Sequence, residues 1–151
     1  MKQAHFIKLR VFSLQKDKED DALILDKFKS FVPLDFEKER ISIITTSTQG
    51  FNEKNIKIFE IDLRKDAHIN AFLNHLISVI DKDTKELIVQ QLESRLDDHL
   101  DFYLRFDKKE WFENSRLQLT DAGNCIHIKI TVAAFPKKRE NAVALVRKWF
   151  E

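Results

Sequence analysis

AHFIKLRVFSL, residues 4–14, alternates along its length: Ile7, Leu9 and Val11 fall on one side of an extended chain, and Phe6, Lys8, Arg10 and Phe12 on the other. A period of two predicts a β-strand. The same alternation returns three times. LDFYLRF (100–106) sets Phe102, Leu104 and Phe106 against Tyr103 and Arg105. RLQLT (116–120) sets Leu117 and Leu119 against Arg116 and Gln118. CIHIKITVAAF (125–135) sets Ile126, Ile128, Ile130 and Val132 against His127, Lys129 and Thr131. ISIITTS (41–47) and NIKIFEIDL (55–63) read as two further strands joined by TQGFNEK, with Gly50 at the turn. The 55–63 strand leaves its orientation open, because its faces are Lys57, Phe59, Ile61 and Leu63 or Ile56, Ile58, Glu60 and Asp62.

Between the strands the period changes to that of a helix. DKEDDALILDKFKSFV, opened by Asp17, spaces Ile24, Phe28 and Phe31 at helical intervals and stops at Pro33. HINAFLNHLISVI carries Ile69, Phe72, Leu73, Leu76, Ile77 and Ile80 at three- and four-residue spacing. TKELIVQQLESRL predicts a third helix capped by Asp83 or Thr84, WFENS a short helical turn, and KKRENAVALVRKWF a closing helix with Pro136 in its first turn. RLQLT and CIHIKITVAAF are predicted to form a hairpin around DAGN, with Gly123 in the turn. This order lacks the regular strand–helix alternation of a parallel doubly wound sheet. It predicts an α+β fold: a mostly antiparallel sheet with helices packed on one face, in a single domain spanning residues 1–151. Such a sheet can leave its second face to solvent or to a ligand.

Composition sets bounds on function. The 26 Lys and Arg and 25 Asp and Glu leave a formal charge of +1, balanced in both halves, so no cationic tail marks a nucleic-acid binder and any basic surface must be local. A lone Cys125 forms no internal disulfide and reads as a small buried hydrophobe suited to a reducing compartment. The opening MKQAHFIKLRVF has no signal-peptide core, and no run of about 18 apolar residues occurs, so a cytoplasmic location without membrane contact is expected. Phosphate-loop, dinucleotide and nucleophile-elbow motifs are absent, and no cofactor is expected.

The predicted free face gathers Phe6, Lys8, Arg10, Phe12, Tyr103, Arg105, Arg116, Gln118, His127, Lys129 and Thr131: five cations and three aromatics without an acid, though Asp101 and Asp107 share the parity of Arg105. Most of the neutralising acids are therefore expected on helices and loops. Cations interleaved with aromatics suit RNA, since guanidinium and ammonium groups neutralise phosphates while flat rings stack unpaired bases. Tolerated residues on a solvated sheet face are the plain alternative. Lys137, Lys138 and Arg139 open the last helix, where the dipole favours acids, and a helix N-terminus with cations is an anion site. The expected phosphate contacts are Lys8, Arg10, Arg105, Lys108, Lys129, Lys137, Lys138 and Arg139, with Tyr103 and Phe6 stacking bases. Two other classes compete. Asp97, Asp98, Asp101 and Asp107 could serve a metal-dependent nuclease or phosphoryl-transfer enzyme, although no metal-ligand spacing accompanies them. The aromatic and arginine face could also be a protein interface, as a homodimer or a docking module.

FYLRFDKKEW (102–111), LQLTDAGNCIHIKITVAAF (117–135) and PKKRENAVALVRKW (136–149) resemble an archaeal family of RNA-binding proteins associated with the exosome, whose marks are a strand near LYLRFDKQ and a Tyr/Phe-Pro-x-Lys-Arg-Glu turn into the last helix. The resemblance is specific over 100–149 and loose over 1–80. It implies a fold similar to the large-subunit ribosomal protein that holds 5S RNA, with RNA and exosome subunits as partners and no catalytic or metal residues. Arg105, Asp107, Lys108, Pro136, Lys138 and Arg139 match the motif, whereas Glu110 and Phe135 depart from it.

Overall fold

The structure is a computed structural model and describes residues 2–49 and 55–151. Its element order is β1 (Ala4–Leu14), α1 (Asp21–Ser30), β2 (Ile44–Gln49), β3 (Asn55–Leu63), α2 (Asp66–Val79), α3 (Lys82–Gln90), α4 (Leu92–Arg95), β4 (Asp101–Asp107), α5 (Lys108–Asn114), β5 (Cys125–Val132) and α6 (Arg139–Phe150). The five strands form one sheet in the order β2-β3-β1-β5-β4, every neighbouring pair antiparallel. The antiparallel α+β expectation holds. The expected turn at Gly50 lies outside the described residues.

Ile7, Leu9 and Val11 of the central strand are fully buried, as are Leu104, Ile126, Ile128 and Ile130. They meet Ile24 and Phe28 of α1, Ile69, Phe72, Leu73 and Leu76 of α2, Ile88, Leu92, and Ala142, Val146 and Phe150 of α6 in one continuous core. β1, β3, β4 and β5 therefore bury alternate side chains against the helices, whereas the edge strand β2 is exposed along its whole length. Register settles β3: Ile61 pairs with Leu9 and Leu63 with Ile7, which sends Phe59, Ile61 and Leu63 to the core and Glu60 and Asp62 to the open face.

Several boundaries differ from the sequence reading. The first helix starts at Asp21, because Asp20, three residues after Asp17, is the acid that caps it, accepting from the N–H groups of Ala22 and Leu23. Residues 15–17 form a separate 3₁₀ turn. The third helix begins one turn early on the Asp81 cap, which accepts from Thr84 N–H at 2.7 Å, and breaks at Gln91 before α4. The hairpin expected between 116–120 and 125–135 does not form. Both edges of β5 are taken, by β1 and β4, so 116–120 lies along β4 instead, with the Asp107 N–H donating to Gln118 O at 2.7 Å and the Thr120 N–H to Arg105 O at 3.0 Å. Helix α6 starts at Arg139, leaving Pro136 and Lys137 ahead of the Lys138 cap position. Trp111 and Trp149 anchor to this chain: Trp111 packs edge-on against Phe31 at 5.1 Å, and Trp149 donates its indole N–H to Gln3 Oε1 at 2.6 Å.

Candidate nucleic-acid interface

The register lays the open face out in rows across the strands. One row runs Glu60, Arg10, His127, Arg105, and the next Asp62, Lys8, Lys129, Tyr103. Lys8 and Lys129 stand directly opposite each other, a pairing of like charges that costs stability unless acids flank it. They do. Lys8 Nζ lies 3.5 Å from Glu60 Oε2 and 3.8 Å from Asp62 Oδ1, and Lys129 Nζ lies 3.7 Å from Asp101 Oδ2. Glu60 also receives Arg10, whose Nε and Nη2 lie 3.1 and 3.0 Å from one carboxylate oxygen. Besides the acids of helices and loops, Glu60 and Asp62 stand on the sheet face itself, a fact the undecided orientation of β3 concealed.

The cations do not share one environment. Arg105 is exposed and, among the described residues, has no ion pair and no side-chain hydrogen bond. Next to it His127 is half-buried; burial first, then the charges of Arg105, Arg10 and Lys129, hold its imidazole below the usual histidine range. The Tyr103 ring lies 5.6 Å from that imidazole, and its hydroxyl donates to Asp97 Oδ2 at 3.0 Å. Burial and the Asp97 carboxylate push the Tyr103 phenol up to about 12, so it stays neutral and works through its ring and its donor. Phe6, at the far end of the face, has the Arg64 guanidinium 4.3 Å above its ring, so one side of that stacking surface is already occupied.

Two expected phosphate contacts have other employment. Lys108 is 5% exposed, and its ammonium donates to Phe12 O at 3.0 Å and Asn124 Oδ1 at 2.7 Å while pairing with Glu19 at 2.8 Å. That clip ties the end of β1, the approach to α1, the loop before β5 and α5 together. Removing one member would strand a largely desolvated charge, at a cost of about 3 kcal/mol. Lys108 follows the end of β4 and sits in the first turn of α5, where Asp107 caps the helix by accepting from the Glu110 N–H at 2.8 Å. This change of direction turns the side chain inward. Arg139 donates to Glu93 O at 2.6 Å and Leu96 O at 2.9 Å, capping the end of α4. Lys137 and Lys138 remain exposed, with no ion pair among the described residues. Beside them Phe135 is 94% exposed, a feature that the alternating pattern of β5 could not reveal because it lies beyond the strand's end.

The four aspartates do not converge. Burial would raise the Asp97 carboxyl, but the N–H groups of Asp101 and His99 and the Tyr103 hydroxyl outweigh it and hold the group below the usual carboxylate range. Asp101 accepts from the Thr131 hydroxyl at 2.6 Å and Asp107 is a helix cap. No group of three or more His, Cys, Asp or Glu among the described residues is placed to hold a metal ion. Cys125 is buried, and burial pushes its thiol up, away from the reactive thiolate. No helix among the described residues is long and apolar enough to cross a membrane.

The chain is similar to several known proteins. RNA-binding protein PAB1135 of Pyrococcus abyssi is 27% identical over 149 residues, covering 99% of this chain and 95% of that one. An uncharacterised protein, MJ0213, of Methanocaldococcus jannaschii is 28% identical over 129 residues, covering 83% and 84%. Two solved structures share the fold: protein AF2318 from Archaeglobus fulgidus, with a TM-score of 0.82 at 20% identity over 97% of this chain and 99% of that one, and a DUF54 protein from Methanothermobacter thermautotrophicus, with 0.78 at 24% over 99% of each. The model of a family described as RNA binding matches residues 7–132, from the central strand to the end of β5, and the chain belongs to that family.

Proposed function

We propose that this protein binds RNA without cleaving it, through the β5–β4 half of its open sheet face and the exposed lysines ahead of α6. The observation that carries the reading is Arg105, an exposed guanidinium with no partner among the described residues, opposite His127 and two residues along β4 from Tyr103 on a face the helices leave uncovered. Arg105 and Lys129 contact phosphates, Arg10 and Lys8 assist from within their ion pairs, and Lys137 and Lys138 form a second contact. Tyr103 offers a ring held in place by Asp97. The chemistry suits single-stranded RNA, whose bases are free to stack. An accessory role beside the exosome or the ribosome, with the likeness to the 5S RNA-holding ribosomal protein, follows from the motifs at 102–149 and belongs to the same proposal.

Salt tests the mechanism whatever the RNA sequence. Log K for a single-stranded RNA should fall linearly with log salt at about −0.7 per phosphate contacted, so about 4–6 contacts give a slope near −3 to −4. Changing Lys137 and Lys138 together to Gln should flatten that slope by about 1.4. A slope near zero, or no binding at low salt, would move the face to the protein-interface class and predict a dimer or a docked partner instead.

A further inference from the structure

A small hollow opens where β1, β5 and β4 run side by side, lined by Arg10, Phe12, Arg105, Cys125 and His127 with the loop residue Gly123, and its volume is about 150 Å³. We propose that this hollow holds one phosphomonoester group, the terminal phosphate of a bound RNA, with Arg10 and Arg105 as its two walls and His127 as its floor; the proposal rests on the RNA-binding reading and names the part of the RNA that this site takes.

Geometry, charge and size point the same way. Arg10, His127 and Arg105 occupy one row on three adjacent strands, their backbones about one inter-strand spacing apart, roughly 5 Å, and all three side chains line the same hollow, so one tetrahedral anion seated there is within reach of each. None of the lining side chains is an acid. The one carboxylate in contact with the row, Glu60, lies behind Arg10 and binds its Nε and Nη2, which aims the guanidinium and leaves Nη1 uncommitted among the described residues. Arg105 keeps all its donors. Ligand pockets that enclose a whole drug-sized molecule run to about 300 Å³ or more, so this hollow is too small for a nucleotide and large enough for a single phosphate with a water or two.

A second hollow, about 490 Å³, shares Arg105 with the first and is lined by Gln91, Ser94, Arg95, Tyr103 and Asp121. The terminal nucleoside fits there, with Arg105 standing between phosphate and sugar. The phosphomonoester also carries about −1.5 to −2 charge against −1 for a diester, which matches a site with two guanidiniums and a histidine.

His127 adds a protonation step. The groups facing it are Cys125 and Lys129 on its own strand, Arg10 on β1 with Glu60 behind it, and Arg105 and Tyr103 on β4, with Asp97 holding the tyrosine hydroxyl. Without ligand the surrounding cations and burial keep the imidazole neutral at pH 7. A bound dianion opposes those cations and favours the imidazolium, so binding takes up a proton and affinity rises as pH falls towards the lowered range of the free imidazole.

One short single-stranded RNA made with a 5′-phosphate, with a 3′-phosphate, or with hydroxyls at both ends tests this by binding to the full chain. One phosphorylated end should bind about tenfold more tightly than the hydroxyl form, and in Arg10→Gln the ratio of the two affinities should fall to about one, whatever the variant does to both. As a check that needs no variant, inorganic phosphate should raise the His127 imidazole pKa followed by NMR. Equal affinity for all three RNAs with the salt slope intact would overturn the terminal-phosphate site and leave RNA binding standing. No binding of any of the three would overturn both. An unmoved imidazole at high phosphate would likewise overturn the site.

Discussion

Lys8 and Arg10, on the β3 side of the open sheet face, each meet a carboxylate of the neighbouring strand, whereas Arg105, on the β4 side, meets none among the described residues. The two halves carry similar residues and different electrostatics. On one side Glu60 and Asp62 absorb the cations into a network; on the other Asp97 is engaged by Tyr103 and Asp101 by Thr131 and Lys129, and exposed Arg105 has no ion pair among the described residues. A count of cations on a face overstates what a phosphate can use. What matters is the occupant of the adjacent strand.

The largest effect should separate the halves directly. Arg105→Ala should weaken binding to single-stranded RNA about tenfold, the loss of a charge-assisted hydrogen-bonded contact, with the melting temperature unchanged. Lys8→Ala should weaken it much less. If Lys8→Ala matches Arg105→Ala, the two halves are equivalent and the comparison fails.

An intermediate effect should come from unmasking the paired half. Glu60→Gln frees Lys8 and Arg10 of their shared acid, and RNA affinity should rise about threefold, as for the loss of an ion pair worth about 0.7 kcal/mol. Thermal stability should fall at the same time, because Lys8 and Lys129 then face each other with less compensation. Unchanged affinity would mean that the β3 half lies outside the RNA path.

The smallest effect concerns pH and stability. Folding holds the His127 pKa below its unfolded value near 6.5, so the unfolded chain takes up the proton first and stability is lost as pH falls below about 7. Melting temperatures at pH 7.5 and 5.5 should therefore differ less in His127→Gln than in the wild type, at acidities where the carboxylates are still ionised. An identical difference in both proteins would place the proton uptake elsewhere.

Alternation and helical spacing were legible in the chain itself. Ile7, Leu9 and Val11, or Ile126, Ile128 and Ile130, announce a strand with one buried face whatever its neighbours, because the pleat sends successive side chains to opposite sides. Phe72, Leu73 and Leu76 announce a helix stripe in the same local way. These patterns determined the α+β class, most of the core and the open-face residues of β1, β4 and β5, but not those of β3. Strand order, register and turn direction were not local properties, so only the tertiary structure could decide them. It placed β3 beside β1 and so brought Glu60 onto Arg10; it gave β5 two partners and moved 116–120 to β4; and through a helix cap at Asp107 it turned Lys108 into the core three residues after Arg105 reaches solvent. The physical reason is that a side chain's face follows from its own strand, while the charge it presents to a ligand depends on which strand pairs beside it.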